Sequence, residues 1–516
     1  MRADAHAIWR AALRAADPCA AIRSSLCVRD NVLRIAGTAH RYAFAPSEEG
    51  GHFERVVVIG GGKASAHMAA ALVELLPQPL ALSGHVVTKH GHLDAATART
   101  LSAAGVACSE AGHPIPDEAG VVATGEMLEL VKREGGASTL VVACISGGGS
   151  ALLTAPAGEL TLCDVQAATD VLLSCGAPIG ELNTMRKHLD RAKGGQLARH
   201  VHSTGATLLT LVLSDVVGDD LCVIASGPTV PDNASSTFAA CNAIIARRCG
   251  AARLPRRIIQ HMQRGARGEF AETPKLAADT GDGAVVLCGT NALATCAAAA
   301  HAEQLGYAAR VLSTTLEGEA RDVARNTIVA AARQLIETQT PLDARQKPVC
   351  LIYGGETTVT LPAGVAHGQG GRNQELALAA AIAIDARDGM LRDDMDIVIL
   401  AAGTDGGDGP CDAAGALVDT RTAACGRAAS LDANDFLARH DSYGFFADLD
   451  AAAAAAAAAA QAKKFDDPIG GAAAQEAYDE VGRSHVKTGP TGTNVMDVTL
   501  LLVRPLKIEC SEILQK

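Results

Sequence analysis

Short runs of aliphatic and β-branched residues alternate along this chain with longer stretches rich in alanine and leucine. The strongest runs are residues 56–59, 140–145, 207–213, 284–288, 350–353 and 396–400. We interpret each run as a buried strand, because glycine, aspartate or asparagine follows it within a few residues. Strands that alternate with helical segments are typical of parallel sheets with helices on both faces. The pattern therefore predicts an α/β fold.

The length of the chain and one polar segment predict two domains. At 516 residues the chain exceeds the size at which a single hydrophobic core stops growing. The segment from about Gly265 to Asp282 is polar and is interrupted by Pro274 and several glycines, which favours a connection between domains there. We therefore predict an N-terminal domain over residues 1–272, a C-terminal domain over residues 273–516, and a cleft between them.

The composition is that of a folded protein and argues against several classes of function. Hydrophobic residues make up 48% of the chain and charged residues 20%, which excludes the profile of a disordered protein. A net charge of −12 disfavours nucleic acid as a partner, since binding it requires a basic face. The 15 cysteines include no C-x-x-C pair, so we expect reduced thiols and no disulfide framework.

The sequence contains no segment that predicts a membrane-spanning helix. The longest uncharged stretch near the middle, residues 139–158, is broken by glycines and by Pro156. We therefore expect no membrane partner and a cytoplasmic protein. The N-terminus carries several arginines on a periodic apolar pattern, but also Asp4 and Asp17. We interpret it as an amphipathic helix of the folded domain, while a mitochondrial pool stays open because targeting peptides are also rich in arginine.

The first candidate site follows the run at residues 56–59. Gly60, Gly61, Gly62 and Lys63 form a predicted strand-to-helix turn, where backbone N–H groups favour an anion and the lysine adds positive charge. The loop is not a P-loop, and it matches the dinucleotide fingerprint only as G-x-G-x-x-S. Two interpretations stay open: a phosphate or carboxylate site, or a tight turn with a solvated lysine.

A second glycine-rich loop follows the run at residues 140–145. Its residues are Ser146, Gly147, Gly148, Gly149 and Ser150. Two anion-binding turns in one chain suit a ligand with several phosphates. The alternative is a turn that serves only the close packing of strand on helix.

A short basic segment carries a third group of candidates. Asn183, Arg186 and Lys193 lie in this segment, which leads to a pair of glycines. Positive charge beside a glycine loop suits phosphate oxygens. A solvated basic helix face is the other interpretation.

Three carboxylates lie in loops after predicted strands. Asp215, Glu356 and Asp405 could orient a hydroxyl group there, and Asp215 and Asp405 are the candidate ligands for Mg²⁺. Acidic residues in such loops also cap helices and fix turns, which is the alternative role.

Arg372 begins a long apolar predicted helix and is followed by Asn373 and Glu375. The positive end of a helix dipole disfavours an arginine, so its position indicates an anion nearby. A solvent-facing arginine is the alternative, because it costs only a fraction of a kcal/mol.

Other patterns carry less chemistry. No H-E-x-x-H, cysteine–histidine zinc spacing or G-x-S-x-G elbow occurs, which disfavours zinc hydrolases and serine esterases. We interpret His113 as a turn residue. The ten alanines Ala451–Ala460 predict an exposed insertion helix or a partly disordered loop.

Ten motifs, in order, resemble the glycerate 2-kinase family, whose C-terminal part carries the MOFRL domain. They are GGGKAS, GHPIPD, SGGGSALL, NTMRKHLDRAKGGQLA, LSDVVGDD, ASGPTVPD, YGGETTVTL, GQGGRNQELAL, AAGTDGGDGP and TGPTGTNVMD. The resemblance covers nearly the whole chain. Two departures are Asp220, where the family is expected to have proline, and the alanine-rich insertion at 450–482.

The resemblance implies phosphorylation of D-glycerate at its 2-hydroxyl by ATP with Mg²⁺, giving 2-phosphoglycerate and ADP. It implies a Rossmann-like αβα domain, a C-terminal α/β domain with the MOFRL region at about 345–505, and an active site in the cleft between them. Lys63 and Arg372 would be the catalytic pair, and the other candidates named above would bind substrate or nucleotide. We expect a monomer or homodimer.

Two rival functions stay open at this point. Relatives of the family have been labelled hydroxypyruvate reductases, and the first glycine loop partly resembles a dinucleotide loop, so an NAD(P)H-dependent reductase is the alternative enzyme. The incomplete fingerprint argues against it. A non-catalytic protein that senses glycerate or nucleotide is the second rival.

Overall fold

The structure, a computed structural model, describes residues 1–46, 52–338, 347–362, 364, 366–386, 395–462 and 482–505. The chain folds into two compact units. The first unit comprises Asp17–Thr290 and Gly492–Asn494. The second comprises Met1–Ala16, Asn291–Thr491 and Val495–Lys516.

The first unit follows helix α1 (Arg2–Ala15) and contains strands β1 to β9. The strands are β1 (Leu26–Arg29), β2 (Val32–Ile35), β3 (Arg41–Ala43), β4 (Arg55–Gly61), β5 (Ala81–Lys89), β6 (Val106–Ala111), β7 (Thr139–Ser146), β8 (Thr207–Leu213) and β9 (Ala284–Gly289). The helices are α2 (Pro18–Ser25), α3 (Ser65–Leu75), α4 (Ala95–Ala103), α5 (Glu118–Glu134), α6 (Gly149–Leu152), α7 (Leu162–Ser174), α8 (Ile179–His188), α9 (Gln196–Ser203), α10 (Phe238–Arg248), α11 (Arg256–Ala266) and α12 (Ala277–Thr280), with 3₁₀ turns at Ile224–Ser226 and Ala251–Arg253.

The central sheet of the first unit has six parallel strands in the order β6-β5-β4-β7-β8-β9. Counted along the chain this is 3-2-1-4-5-6, the order of Rossmann folds that bind dinucleotides, so the predicted Rossmann-like fold is confirmed. β4 and β7 are neighbours in the sheet although two strands separate them in the chain. The loops after β4 and β7 therefore lie at the switch point, where such sheets bind ligands.

The structure places the boundary of the first unit later than residue 272. β9 pairs in parallel with β8, with Val286 opposite Leu211, so it completes the first sheet. The unit accordingly ends at Thr290. The polar segment from about Gly265 to Asp282 therefore connects elements within the first unit. Composition alone did not show this, because a long loop and a domain linker have similar compositions.

The second unit contains strands β10 to β15. The strands are β10 (Ala308–Leu316), β11 (Val349–Gly355), β12 (Met395–Gly403), β13 (Gly415–Asp419), β14 (His485–Val486) and β15 (Asp497–Pro505). The helices are α13 (Asn291–Gln304), α14 (Ala320–Val323), α15 (Ala330–Thr338), α16 (Arg372–Asp385), α17 (Thr422–Ala428), α18 (Ala433–Ala438) and α19 (Ser442–Ala462), and a π-helical turn at Ala324–Val329 joins α14 to α15.

The sheet of the second unit is mixed, which corrects the expectation of parallel strands throughout. Its order is β10-β11-β15-β12-β13-β14, and only β10 and β11 pair in parallel. β15 inserts between β11 and β12 and runs antiparallel to both. Strands that are buried on both faces have continuous apolar sequences in either direction, so the sequence pattern does not report their orientation.

Helix α1 packs into the second unit. Ile8 and Trp9 are buried, and Asp4 accepts a hydrogen bond of 2.6 Å from the hydroxyl of Tyr307. Arg2 forms a 3.0 Å ion pair with Asp419. The N-terminal amphipathic segment is therefore part of a folded core, as predicted, although it belongs to the second unit and not to the first.

The alanine run continues helix α19. Phe445 and Phe446 at the start of this helix are fully buried, whereas the described alanine side chains that follow are mostly exposed. Residues 463–481 of the predicted insertion lie outside the described residues. None of the helices in the described part of the chain combines the length and the apolar character that a membrane crossing requires.

Candidate functional site

The two glycine-rich loops of the first unit are hydrogen-bonded to each other at the switch point. The backbone N–H of Lys63 donates to the carbonyl of Gly147 over 2.8 Å. The backbone N–H of Ala64 donates to Oγ of Ser146 over 3.0 Å. The loops after β4 and β7 therefore form one continuous surface. From sequence, each loop was interpreted as a separate turn.

Two glycines of the first loop allow this close approach. Gly62 has φ of 146°, and a Cβ there would lie 2.1 Å from Oγ of Ser146. Gly60 has φ of 147°, and a Cβ there would lie 2.0 Å from the carbonyl oxygen of Cys144. Any larger residue would push the two loops apart.

Positive charge is concentrated beside these loops. Lys89, the last residue of β5, ends at the same edge of the sheet as Lys63. A Cβ on Gly148 would lie 3.3 Å from Cγ of Lys63 and 3.1 Å from Nε2 of His113, so these side chains pack on the second loop. Within the described ranges, neither lysine has an ion-pair partner. Uncompensated cations next to strand-end amides favour an anionic ligand.

The pKa of His113 reflects the same environment. Burial, together with the smaller effects of the charges of Lys63, Lys89 and His92, lowers this pKa to about 4. In the unfolded chain this imidazole binds a proton near pH 6.5, whereas in the folded chain it does so only near pH 4. Its contribution therefore lowers the free energy of unfolding as the pH falls through that range. His113, interpreted from sequence as a turn residue, therefore lies in the positive cluster as a neutral imidazole.

A cavity of about 290 Å³ adjoins the second loop. Gly148, Ser150, Arg186 and His113 are among its lining residues. Burial lowers the pKa of Arg186, and this guanidinium has no carboxylate partner among the residues that the structure describes. Arg186 therefore adds a third uncompensated cation to those of Lys63 and Lys89.

Two lysines of the basic segment are held inside the protein. Lys193 is buried and lies 2.7 Å from Asp190, and Lys187 lies 2.6 Å from buried Asp232. Neither side chain belongs to the solvated basic face that the alternative interpretation predicted. Lys193 and Asp190 also line the cavity, but each already has a charged partner.

Hydroxyl and amide groups fix the end of the second loop. Oγ of Ser150 and Oγ of Ser226 are 2.8 Å apart. Ser226 donates to the amide oxygen of Asn183 over 3.4 Å. Asn183, a predicted ligand-binding residue, is buried and therefore reaches the loop through Ser226.

Asp215 lies directly beside the second loop. It follows β8, the neighbour of β7, and a Cβ on Gly147 would lie 2.1 Å from its Oδ2 atom. The side chain is half-buried. The structure thus brings this predicted carboxylate to the same edge of the sheet as the two glycine loops.

Arg372, in the second unit, is surrounded by the chain's own carboxylates. Its Nε and a terminal nitrogen donate to the two oxygens of Asp497 over 2.6 and 2.8 Å, and another nitrogen lies 3.0 Å from Glu356. These carboxylates raise the pKa of Arg372, although burial opposes them. The anion that the sequence indicated near Arg372 is therefore present within the protein.

The N-terminus of α16 is capped by Asp408. The backbone N–H groups of Asn373 and Gln374 donate to its carboxylate over 3.0 and 2.9 Å. Burial raises the pKa of Asp408 to about 6. The amides of this helix end are therefore already used by an internal carboxylate.

Two other predicted residues of the second unit have internal partners. Glu375 is buried and accepts hydrogen bonds from Arg321 over 2.7 and 2.9 Å, and it lies 3.0 Å from His440. Asp405 is half-buried, and its carboxylate accepts a 3.1 Å hydrogen bond from the backbone N–H of Gly407. Glu375 therefore has basic partners within the protein.

Sequence reasoning missed Lys89 and Asp497. A signal for Lys89 was available, because it ends the apolar strand that follows the first loop, and parallel strands end at one edge of a sheet. No local signal pointed to Asp497, which lies 125 residues from Arg372 in the chain.

The positive cluster predicts a measurable response to anions. Saturation with inorganic pyrophosphate is expected to raise the pKa of His113 from about 4 toward 6.5, because a bound anion offsets Lys63 and Lys89. A histidine NMR titration measures this shift. His485 is the internal control: burial and Lys487 lower its pKa to about 4, and we expect it not to change. An unchanged His113 at saturation would place the anion elsewhere.

Comparison with known proteins identifies relatives along almost the whole chain. A model described as a domain of unknown function, DUF4147, matches residues 4–263, and the MOFRL family matches residues 349–461. The chain is 36% identical to the glycerate 2-kinase of Pyrococcus horikoshii, with 95% of each chain covered. It is 38% identical to an Agrobacterium vitis protein provisionally named hydroxypyruvate reductase, with 87% of each covered.

A solved structure shares the fold. The crystal structure of glycerate kinase from Thermotoga maritima matches with a TM-score of 0.72 and 32% identity, over 97% of this chain and 99% of that chain. The resemblance that the ten motifs indicated is thereby confirmed. The chain belongs to the glycerate kinase family that combines the DUF4147 and MOFRL domains.

Proposed function

We propose that this glycerate kinase transfers the terminal phosphoryl group of ATP to the 2-hydroxyl of D-glycerate, giving 2-phosphoglycerate and ADP. Phosphorylation of glycerate follows from the family. The donor, the hydroxyl group and the residue roles are our proposal. The observation that supports it most is the cluster of three cations, beside two joined glycine loops, for which the described residues provide no ion-pair partner.

The first unit supplies groups that suit phosphoryl transfer. The oxygen of the glycerate hydroxyl forms a bond to the terminal phosphorus, the bond from that phosphorus to the ADP oxygen breaks, and the hydroxyl proton leaves to a base. Such reactions depend mainly on positioning and on stabilising negative charge. Lys63, with the loop amides, would stabilise the charge on the transferred group. Asp215, beside the loop, is our candidate to accept the proton.

Magnesium fits this arrangement as an ion bound largely through phosphate oxygens. Within the described part of the chain, no group of three or more histidine, cysteine, aspartate or glutamate residues forms a dedicated metal cage. Mg²⁺ commonly needs only one or two carboxylates in addition to the substrate phosphates. Asp215 in the first unit and Asp405 in the second are the two candidate ligands, and the ion would neutralise phosphate charge. A carboxylate that holds the ion is a weak base, so holding the ion and accepting the proton are alternative roles for Asp215.

Arg372 is proposed as the second cation of the catalytic pair. The bidentate contact with Asp497 and the contact with Glu356 fix its guanidinium in one orientation. A fixed cation can stabilise developing charge without reorganising during the reaction. The same contacts also suit a purely structural role, so the proposal requires a test that separates the two.

The position of Lys89 argues against the alternative function, a reductase that uses NADH. In dinucleotide-binding folds an acidic residue at the end of the second strand binds the ribose hydroxyls. That strand is β5 here, and it ends in Lys89. Ser65 occupies the position of the third glycine of the dinucleotide fingerprint, and its Oγ lies 3.3 Å from Oγ of Ser146.

Phosphorus NMR tests the proposed reaction directly. The purified protein, incubated with D-glycerate and MgATP, is expected to produce ADP together with the phosphorus resonance of 2-phosphoglycerate. Parallel reactions contain L-glycerate, or hydroxypyruvate with NADH or NADPH. A resonance of 3-phosphoglycerate as the first product would contradict the proposed regiochemistry, and nicotinamide oxidation without ADP release would favour the reductase.

A further inference from the structure

The cavity next to the second glycine loop has an apolar mouth. Pro114 and Ile115 from the loop after β6, and Val165 and Leu173 from α7, are among its lining residues. Ile115 is 65% exposed and Leu173 is 56% exposed, so both lie at the solvent side of the cavity. A ligand that covers large apolar side chains at the opening of a cavity removes them from water, which favours its binding.

One hydrogen bond ties the two parts of this mouth together. The side-chain nitrogen of Gln166, in α7, donates to the carbonyl of Pro116 over 2.7 Å. The loop that carries Ile115 and the helix that carries Leu173 are therefore held at a fixed separation. A preformed opening of this kind favours a rigid, flat ligand.

The inner end of the same cavity is suited to an anion. Gly148 and Ser150 belong to the second glycine loop, and Arg186 has no carboxylate partner among the described residues. Gly148 has φ of 82°, and a Cβ there would lie 3.0 Å from the ring of His113, so His113 packs against this glycine at the wall of the cavity. One cavity thus combines an anion-binding end with an apolar end.

We infer that this cavity holds the nucleoside of the phosphoryl donor, with the base between Ile115 and Leu173 and the phosphates toward Gly148, Ser150 and Arg186. The inference rests on the proposed function and assigns the donor's base to the first unit. A purine nucleotide has one flat, weakly polar end and one anionic end, which matches the two ends of the cavity. Glycerate is small and polar throughout, so the apolar mouth would contribute nothing to its binding.

A comparison of ADP with inorganic pyrophosphate isolates the contribution of the base. Calorimetric titration is expected to show that the wild-type protein binds ADP more tightly than pyrophosphate. In the double variant Ile115→Ser/Leu173→Ser, the affinity for ADP should fall about tenfold while that for pyrophosphate stays the same, since only the base loses apolar contact. The KM for MgATP should rise about tenfold, with the KM for D-glycerate unchanged.

A matched double variant controls for lost surface hydrophobicity. Ile179 and Leu276 are 61% and 65% exposed in the same unit and do not line the cavity. Ile179→Ser/Leu276→Ser is therefore expected to bind ADP and pyrophosphate as the wild type does. All four positions are exposed, so both double variants should fold.

The outcomes separate this inference from the proposed function. If Ile115→Ser/Leu173→Ser retains wild-type affinity for ADP while the wild type phosphorylates D-glycerate, the nucleoside binds elsewhere and the inference is wrong. Equal affinity of the wild type for ADP and pyrophosphate would also overturn it. Failure of the wild type to phosphorylate glycerate contradicts the proposed function, whereas a base-dependent loss of ADP affinity still supports the cavity as a nucleoside site.

Discussion

Replacement of Lys63 by methionine is expected to lower kcat/KM for glycerate phosphorylation by about 10³-fold, a loss of the size seen when one charge-stabilising group is removed from an active site. Lys63 is half-buried beside the second glycine loop and has no ion-pair partner within the described ranges. Its removal therefore leaves no buried carboxylate unpaired, and the fold should persist. Steady-state kinetics with a coupled ADP assay measures the loss, and circular dichroism checks the fold.

Two further variants sharpen this test. Lys132→Met removes a lysine from the exposed face of α5 and should leave kcat/KM unchanged. Lys63→Arg keeps the charge but changes its geometry, so we expect it to recover only part of the activity. Full activity in Lys63→Met would remove this lysine from the mechanism and would leave Lys89 and Arg186 as the cations to examine.

The candidate site of the first unit could be predicted from sequence because its signals are local. Apolar runs that end in glycine loops indicate parallel strands, and parallel strands of a Rossmann-like sheet end at one edge. The loops at Gly60–Lys63 and Ser146–Ser150 therefore fell at the switch point once the fold class was known. The direct bond between them, from the N–H of Lys63 to Gly147, depends on strand order and has no signature in either loop alone.

Charged residues predicted the candidate site less well than the glycine loops did, because the two partners of an ion pair lie far apart along the chain. Lys187 pairs with Asp232 and His188 lies 2.9 Å from Glu272, although the segment reads as a basic run. Of that run, Arg186 is the cation that lines the cavity without a carboxylate partner among the residues that the structure describes. Tertiary packing decides which cation is buried beside a carboxylate and which is left to bind a ligand. The basic segment therefore predicted the region of a site but not the individual residue.

The same limit applies to the orientation of strands in the second unit. The apolar run of β15 resembles those of β11 and β12, yet β15 is antiparallel to both. This orientation brings Asp497, the first residue of β15, opposite Gly355 and Gly403. The contact between Asp497 and Arg372 follows from this register, and sequence patterns do not encode register over such separations.

Replacement of Arg372 by methionine is expected to lower the free energy of unfolding by about 3 kcal/mol, as well as activity. The side chain of Asp497 is only 7% exposed and would lose its bidentate partner, and an unpaired buried carboxylate destabilises a fold by roughly this amount. Glu356 is 40% exposed, so water can compensate for its lost contact. Denaturant unfolding of the wild type and the variant measures the difference.

The double variant Arg372→Met/Asp497→Asn separates stability from catalysis. Neutralising the carboxylate removes the unpaired charge, so stability should return to within about 1 kcal/mol of the wild type. If Arg372 stabilises charge on the transferred group, kcat should remain reduced by at least about a hundredfold in this stable protein, because the cation is still missing. Asp497→Asn alone retains the arginine but only one of the two acceptor oxygens that orient it, so its kcat should fall less than that of the double variant. Recovery of kcat in the double variant, together with its stability, would show that Arg372 serves only to hold β15 and α16 together.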